Sequence, residues 1–101
     1  MVGSAIGRLE VWYAAECNGE WEHTYGIVIE TLDNPGWRLR VDLAETTLQD
    51  VAFTAVNRET SPQDWIDCRV KDGGFQGHGG AGNLEEIITI FLGWAESYRG
   101  K

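Results

Sequence analysis

The stretch CNGEWEHTYGIVIETLDNPGW runs from Cys17 to Trp37 and carries the clearest local signals in the chain. It opens with Asn-Gly at 18–19, two residue types that tolerate the left-handed conformation in which many helices end. Aromatic and apolar residues then alternate with polar ones over 21–32, which is typical of a strand with one buried face. The tetrapeptide NPGW at 34–37 has the composition of a type II turn. The stretch therefore predicts a helix end, a strand and a hairpin turn.

Negative charge dominates this part of the chain. No Lys or Arg lies between Arg8 and Arg38, whereas six acids do, and the stretch from Cys17 to Trp37 holds two tryptophans, Trp21 and Trp37. Indole rings beside acids are typical of protein interfaces, where Trp is enriched and charge complementarity guides a basic partner. The six acids are Glu10, Glu16, Glu20, Glu22, Glu30 and Asp33.

The whole chain is short and acidic. Its 101 residues predict one domain, spanning 1–101. A chain of this size buries roughly 65% of its unfolded surface and needs no disulfide or metal to fold. The formal net charge of -8 argues against nucleic acid and anionic membrane as ligands, since both attract basic patches. The same charge is equally consistent with solubility alone.

The cysteines and the hydropathy indicate a cellular compartment. Cys17 and Cys68 do not form a C-x-x-C pair and are too few for a disulfide scaffold. No apolar run approaches the ~18 residues of a membrane span, and no signal-peptide pattern is present. We therefore expect a cytoplasmic protein with reduced thiols.

Residue periodicity predicts a helix at each end of the chain and four strands between them. Ile6, Leu9, Trp12 and Tyr13 recur at helical spacing in the first helix, and a broader apolar face recurs in the last. Connections between the strands are short, which favours antiparallel neighbours. The predicted elements are a helix at 5–17, strands at 21–32, 37–43, 51–59 and 65–71, and a helix at 84–98.

The predicted fold class is α+β in two layers, in the order α-β-β-β-β-α. We expect a four-stranded antiparallel meander with both helices packed on one face. The other sheet face would then be partly exposed and carry some of the acids. Asn83, with Glu86 three residues later, predicts a capping box at the last helix. The glycine-rich stretch 73–82 lacks the Lys and Ser/Thr of a phosphate-binding loop and is expected to be a crossover before that helix.

Two kinds of chemical site have weak support. The two cysteines and two histidines could supply four zinc ligands, but their spacing matches no common pattern, so no metal and no cofactor are predicted. Glu20, Glu22 and His23 could supply acid–base groups in a pocket, yet no nucleophile or triad partner accompanies them. A small enzyme or ligand-binding domain that uses these three residues is the alternative function.

Several motifs resemble those of a known family. The blocks CNGEWEH at 17–23 and TLDNPGW at 31–37 are the most specific, and agreement continues through FQG at 75–77 and NLEEI at 83–87. Over about 9–95 the chain resembles the immunity protein 53 family. The resemblance implies a bacterial protein of a polymorphic toxin system, not an enzyme, that binds and neutralises a cognate toxin domain encoded by a neighbouring gene.

Charge, composition and resemblance together predict a toxin-binding surface of acids and tryptophans. Its carboxylates would pair with Lys or Arg of a basic toxin domain. Replacement of Trp21 or Glu22 by alanine is then expected to weaken binding without unfolding the domain. A homodimer through the exposed sheet face is a third hypothesis, so both monomer and homodimer stay open. The predicted surface consists of Glu20, Trp21, Glu22, His23, Asp33, Trp37, Asp42, Trp65 and Asp67.

Overall fold

Three helices and a five-stranded sheet make up residues 4–99, the part of the chain that this computed structural model describes. In chain order the elements are α1 (Ala5–Glu16), α2 (Trp21–Thr24), β1 (Ile27–Leu32), β2 (Gly36–Asp42), β3 (Val56–Ser61), β4 (Asp64–Lys71), β5 (Gly74–Gly80) and α3 (Leu84–Arg99).

The strand order in the sheet is β1-β2-β5-β4-β3, and every neighbouring pair is antiparallel. The α+β class with helices flanking an antiparallel sheet is confirmed. The predicted four-stranded meander is wrong in detail, because β5 inserts between β2 and β4. The third predicted strand also begins later than expected, at Val56. Residues 51–55 instead bring Phe53 against Phe75 and Trp94, with ring centroids 5.4 Å and 5.0 Å apart.

The glycine-rich stretch predicted as a crossover is β5, the central strand of the sheet. α3 packs so closely over it that side chains have no room. A Cβ atom on Gly77 would clash with Ile87, and one on Gly79 would lie 2.9 Å from Ile87 Cδ1. Phe75 anchors the strand in the core. Because packing against α3 stabilises β5 as a strand, the strand propensity of its residues could not predict it.

Local hydrogen bonds define α1 and α2. The Ser4 hydroxyl accepts the Gly7 N–H at 3.1 Å and begins α1. α1 ends at Glu16 with its C-cap, Cys17, in an extended conformation, so Gly19, which has a φ of 91°, lies in the following loop and is not the left-handed end of the helix that the Asn-Gly pair predicted. The predicted strand start at 21 is wrong, because Asn18 Oδ1 accepts the Trp21 N–H at 2.9 Å and caps the short helix α2. This side-chain cap overrides the alternating pattern.

The hairpin turn between β1 and β2 spans residues 33–35, as the sequence predicted in position but not in type. Gly36 has a negative φ and already belongs to β2, so the turn is not type II. Glycine is needed there for space, because a Cβ atom on Gly36 would collide with the Gly79 carbonyl of β5.

The core lies between one sheet face and the helices α1 and α3. Trp12 of α1 packs edge to face on Phe91 of α3, with ring centroids 5.0 Å apart. Burial of Cys68 under α3 raises the pKa of its thiol to about 12, and both cysteines are free thiols. The buried apolar residues are Ala5, Leu9, Trp12, Trp21, Leu39, Val41, Leu43, Leu48, Ile66, Cys68, Phe75, Ile87, Ile88, Phe91, Leu92 and Ala95.

Asn83 is the buried polar residue of the described core, and it ties the start of α3 to the sheet. Its Oδ1 accepts the Gly80 N–H at 3.1 Å, and its Nδ2 donates to Asp64 at 3.0 Å. Arg58 donates to the same Asp64 carboxylate at 2.7 Å and to Glu86. Glu86 contacts the Asn83 side chain rather than its backbone N–H, so the predicted capping box is replaced by a side-chain network.

This network makes stability depend on pH. Arg58 lowers the pKa of Glu86, and Asn83 followed by Arg58 lowers that of Asp64. A carboxyl group whose pKa is lower in the folded chain than in the unfolded chain stabilises the fold at pH above its unfolded pKa of about 4. That stabilisation is lost as the pH falls through the folded pKa. We expect Arg58→Met to reduce the unfolding free energy more at pH 7 than at pH 3, measured by urea denaturation. Arg69→Met is the control, because it removes the Arg69–Asp67 pair, which lies outside the network. If Arg58→Met lowered the unfolding free energy equally at both pH values, this explanation would be wrong.

Candidate functional site

The nine residues predicted as one surface are split between the two ends of the sheet. β1 begins beside α2 and ends at the β1–β2 turn, and its six residues span about 20 Å at ~3.4 Å per residue. We call these the α2 end and the turn end. The α2 end holds Glu20, Trp21, Glu22, His23 and Asp42, the turn end holds Asp33, Trp37 and Trp65, and Asp67 lies between them.

Trp21 is a core residue. Only 1% of its surface is exposed, and its ring packs edge to face on Trp12 at 6.1 Å and against Tyr13 at 5.9 Å. A partner cannot reach it in this conformation, so its place in the predicted surface is corrected. The reason is the helix α2, which turns the Trp21 side chain inward where a strand was expected.

Arginines already pair with two of the predicted acids. Asp42 contacts Arg40 at 3.2 Å and also accepts the Gly26 N–H at 3.0 Å. Asp67 contacts Arg69 at 2.9 Å. Strand alternation places both acids on the sheet face that faces away from the helices, which also carries Arg38 and Lys71. That face therefore has mixed charge rather than the acidic character predicted for it.

His78 lies near the middle of this mixed face. The register places it opposite Arg38 on one side and Asp67 on the other. Partial burial is the largest influence on its imidazole and lowers its pKa, whereas the Asp67 carboxylate raises it. A neutral His78 adds no charge that would make this face attractive to a cation.

The two tryptophans at the turn end point to opposite sides of the sheet. Trp37 alternates with Leu39 and Val41 toward the helices, and its Nε1 donates to the Ala81 carbonyl at 2.8 Å. Trp65 is adjacent to the buried Ile66 and so faces the other way. Both indoles are half-buried, and Asp33 is exposed beside the turn. These residues do not combine into one aromatic surface with α2.

The α2 end retains three of the predicted residues on its surface. Glu20 and His23 are exposed, and the Glu20 side chain makes no capping bond. The Glu22 carboxylate accepts the N–H groups of Asn18 at 2.9 Å and Gly19 at 2.7 Å. Backbone N–H donors, its own first, therefore hold the pKa of Glu22 below its usual range. Glu22 thus stabilises the loop and stays negative.

Two further acids extend this end along α1. Glu10 is exposed, and Glu16 is partly exposed at the last position of α1. We call Glu10, Glu16, Glu20 and Glu22 the N-terminal acidic surface. The absence of Lys and Arg between Arg8 and Arg38 was the sequence signal for this surface. Of its four acids, only Glu20 and Glu22 were predicted as site residues.

The negative charge of this surface has no salt-bridge partner within residues 4–98. Five arginines form the salt bridges of the described chain, and all of them lie with acids elsewhere. The pairs are Arg8–Glu96, Arg38–Glu30, Arg40–Asp42, Arg58–Asp64, Arg58–Glu86 and Arg69–Asp67.

An apolar cleft of about 400 Å³ lies between α1 and β1, and Glu10 of the N-terminal acidic surface is part of its lining. Ile6 and Tyr13 are 50% and 39% exposed, although their helical spacing predicted core positions. α1 lies over the sheet margin, so these side chains overhang β1 instead of reaching the core. The lining residues are Ile6, Leu9, Glu10, Tyr13, Gly26, Ile27 and Ile29.

The family model for immunity protein 53 matches residues 6–96. This chain belongs to the immunity protein 53 family. No curated protein and no solved structure matches it. The matched range includes the N-terminal acidic surface, the α1–β1 cleft and both ends of the sheet.

The surface of this immunity protein 53 family member gives little support to the catalytic alternative. Glu22 is occupied by backbone donors, which leaves Glu20 and His23 exposed without a third group. Among the residues that the structure describes, no three His, Cys, Asp or Glu side chains lie close enough to hold a metal ion. Within the same residues, no helix is both long and apolar enough to cross a membrane.

Proposed function

We propose that this member of the immunity protein 53 family protects its cell by binding a cognate toxin domain through the N-terminal acidic surface. One observation supports this most strongly. Four acids at 10–22 have no salt-bridge partner within residues 4–98, and one of them, Glu10, lines an exposed apolar cleft. The arginines at 8, 38, 40, 58 and 69 are paired with acids elsewhere. Local negative charge next to apolar surface is suited to a cationic protein partner.

The side chains of this surface have different roles in the proposed complex. Glu10, Glu16 and Glu20 pair with Lys or Arg of the toxin domain, because no ion pair has to break first. Glu22 adds to the negative potential while it holds the loop before α2. His23 contributes a polar contact at the edge. The cell is protected by occlusion of the toxin, without chemistry by this chain.

The turn end is a secondary contact in this proposal. Asp33, Trp37 and Trp65 lie about 20 Å from α2 along β1, a separation that one toxin domain can span. Asp42 and Asp67 are weaker candidates, because their carboxylates would first have to leave Arg40 and Arg69.

The proposed function is tested with the toxin domain encoded beside this gene. Cells that express that domain alone should stop growing, and co-expression of this protein should restore growth. Isothermal titration with a catalytically inactivated toxin domain should give a one-to-one complex whose affinity falls as salt rises, because exposed charges are screened. Absence of both rescue and binding would contradict the proposal.

A further inference from the structure

β1 is an edge strand of the described sheet, and part of its backbone faces away from its neighbour, β2. The Asp42 N–H donates to the Gly26 carbonyl at 3.0 Å, which places the even-numbered residues of β1 in the pairs that bond to β2. Bonded and non-bonded pairs alternate along an antiparallel ladder. The N–H and C=O groups of Ile27, Ile29 and Thr31 therefore point outward, where no other strand of the described sheet lies.

The opposite edge of the sheet is protected, whereas β1 is not. β3 carries Arg58 and Glu59, shifts its register between Glu59 and Ser61, and is followed by Pro62. Charges, irregular register and proline are the features that discourage pairing at a sheet edge. β1 has the sequence IVIETL, pairs without a register shift, and lacks Pro, Lys and Arg. A regular apolar edge of this kind is a template for another strand.

The α1–β1 cleft lies along the same edge. Ile27 and Ile29 line it from β1, and Ile6 and Tyr13 line it from α1. In β-strand addition, main-chain bonds supply affinity, and pockets for alternate side chains supply specificity. A strand added to β1 would direct every second side chain into this cleft and the others toward solvent. Its residues would also come next to Glu10, the acid in the cleft lining.

We propose that a segment of the toxin domain adds to β1 as a sixth strand, with apolar side chains in the α1–β1 cleft and Lys or Arg beside Glu10. The inference rests on the proposed function and specifies how the toxin is held. The segment is about five residues long, which matches the outward groups from 27 to 31 at ~3.4 Å per residue.

Charge favours a cationic partner over a second copy of this chain. Two copies joined at β1 would bring two chains of net charge -8 together, each with Glu10 and the other N-terminal acids near the junction. Like charges set against each other across an interface repel and disfavour the complex. A basic toxin segment replaces that repulsion with attraction at the same positions.

The test is Thr31→Pro. The Thr31 N–H points outward, so proline removes a donor to the added strand and leaves the β1–β2 hydrogen bonds in place. We expect the Kd for the toxin domain encoded beside this gene to rise about tenfold or more. Asn57→Pro is the matched control. Bonded and non-bonded pairs alternate in the same way from β2 through β5 and β4 to β3, and this alternation places the Asn57 N–H on the outer edge of β3. Asn57→Pro should leave the Kd within about twofold.

A second measurement uses the unaltered chain and does not depend on how well a variant folds. In the complex, the amide protons of Ile27, Ile29 and Thr31 should exchange at least tenfold more slowly than in the free protein. The outward amides of Asn57 and Glu59 on β3 should exchange at an unchanged rate.

The outcomes separate this inference from the proposed function. If the unaltered chain binds the toxin domain, but Thr31→Pro binds equally well and the β1 amides gain no protection, strand addition is wrong while toxin neutralisation stands. If the unaltered chain does not bind the toxin domain, both are wrong. A homodimer that Thr31→Pro converts to monomer, seen by sedimentation, would assign the edge to a second copy and overturn the inference.

Discussion

Trp21→Ala is expected to lower the unfolding free energy by about 3–5 kcal/mol, the range for loss of a buried Trp or Phe side chain. Total stability for a domain of this size is about 5–15 kcal/mol, so the variant should lie close to the unfolding threshold. Trp21 is buried among Trp12, Tyr13 and the end of α1, where alanine would leave a cavity. Urea denaturation followed by circular dichroism measures the loss.

Trp21→Phe is the matched comparison. It keeps an aromatic ring, and it removes an indole N–H that finds no acceptor among residues 4–99. We therefore expect it to cost less than Trp21→Ala, because the phenyl ring leaves a smaller cavity than alanine does. A stable Trp21→Ala variant with weakened toxin binding would restore Trp21 to the contact surface and contradict the structure.

Glu10→Lys combined with Glu20→Lys is expected to weaken toxin binding about 100-fold, which corresponds to about 2.7 kcal/mol. Each reversal removes an attraction to a toxin cation and replaces it with a repulsion. Neither carboxylate has a salt bridge within the described chain, so the fold should be little changed. Much of the loss should be in the association rate, because exposed charges steer encounter. Surface plasmon resonance at two salt concentrations measures both constants.

Glu59→Lys is the control for this pair of changes. It reverses one exposed acid that has no salt bridge within residues 4–98, on β3 at the far edge of the sheet from the N-terminal acidic surface, beside Trp65 of the secondary contact. It should alter the Kd less than about threefold, whereas Glu10→Lys and Glu20→Lys should each alter it about tenfold. If Glu59→Lys weakens binding as much as either of them, net charge rather than the N-terminal acidic surface would explain the affinity.

The sequence predicted those elements whose signals are local. The helical spacing over 5–17 corresponds to α1, which ends at Glu16, and the alternation over 37–43 and 65–71 corresponds to β2 and β4. The number of strands was missed because β5 has glycine where a strand pattern needs side chains. Gly77 and Gly79 leave space for Ile87, and that requirement comes from another element.

The site was predicted less well than the fold, for two physical reasons. Whether an acid is free depends on which arginine its side chain contacts. Asp67 pairs with Arg69, two residues along the same face of β4, and the alternating pattern alone does not show that this contact forms. Whether a tryptophan is exposed depends on the local backbone, and the cap from Asn18 turned Trp21 inward. The absence of cations between Arg8 and Arg38 was informative at the sequence level, because four acids of that interval form the N-terminal acidic surface.

Zero-length cross-linking of the toxin complex tests the central claim most directly. A carbodiimide joins carboxylates to lysines only when they are in contact, and peptide mass spectrometry identifies the joined residues. We expect cross-links from Glu10, Glu16 and Glu20 to lysines of the toxin domain. Cross-links confined to acids such as Glu59, Asp67 and Glu85, with none from residues 10–22, would show that the toxin docks elsewhere and contradict the account.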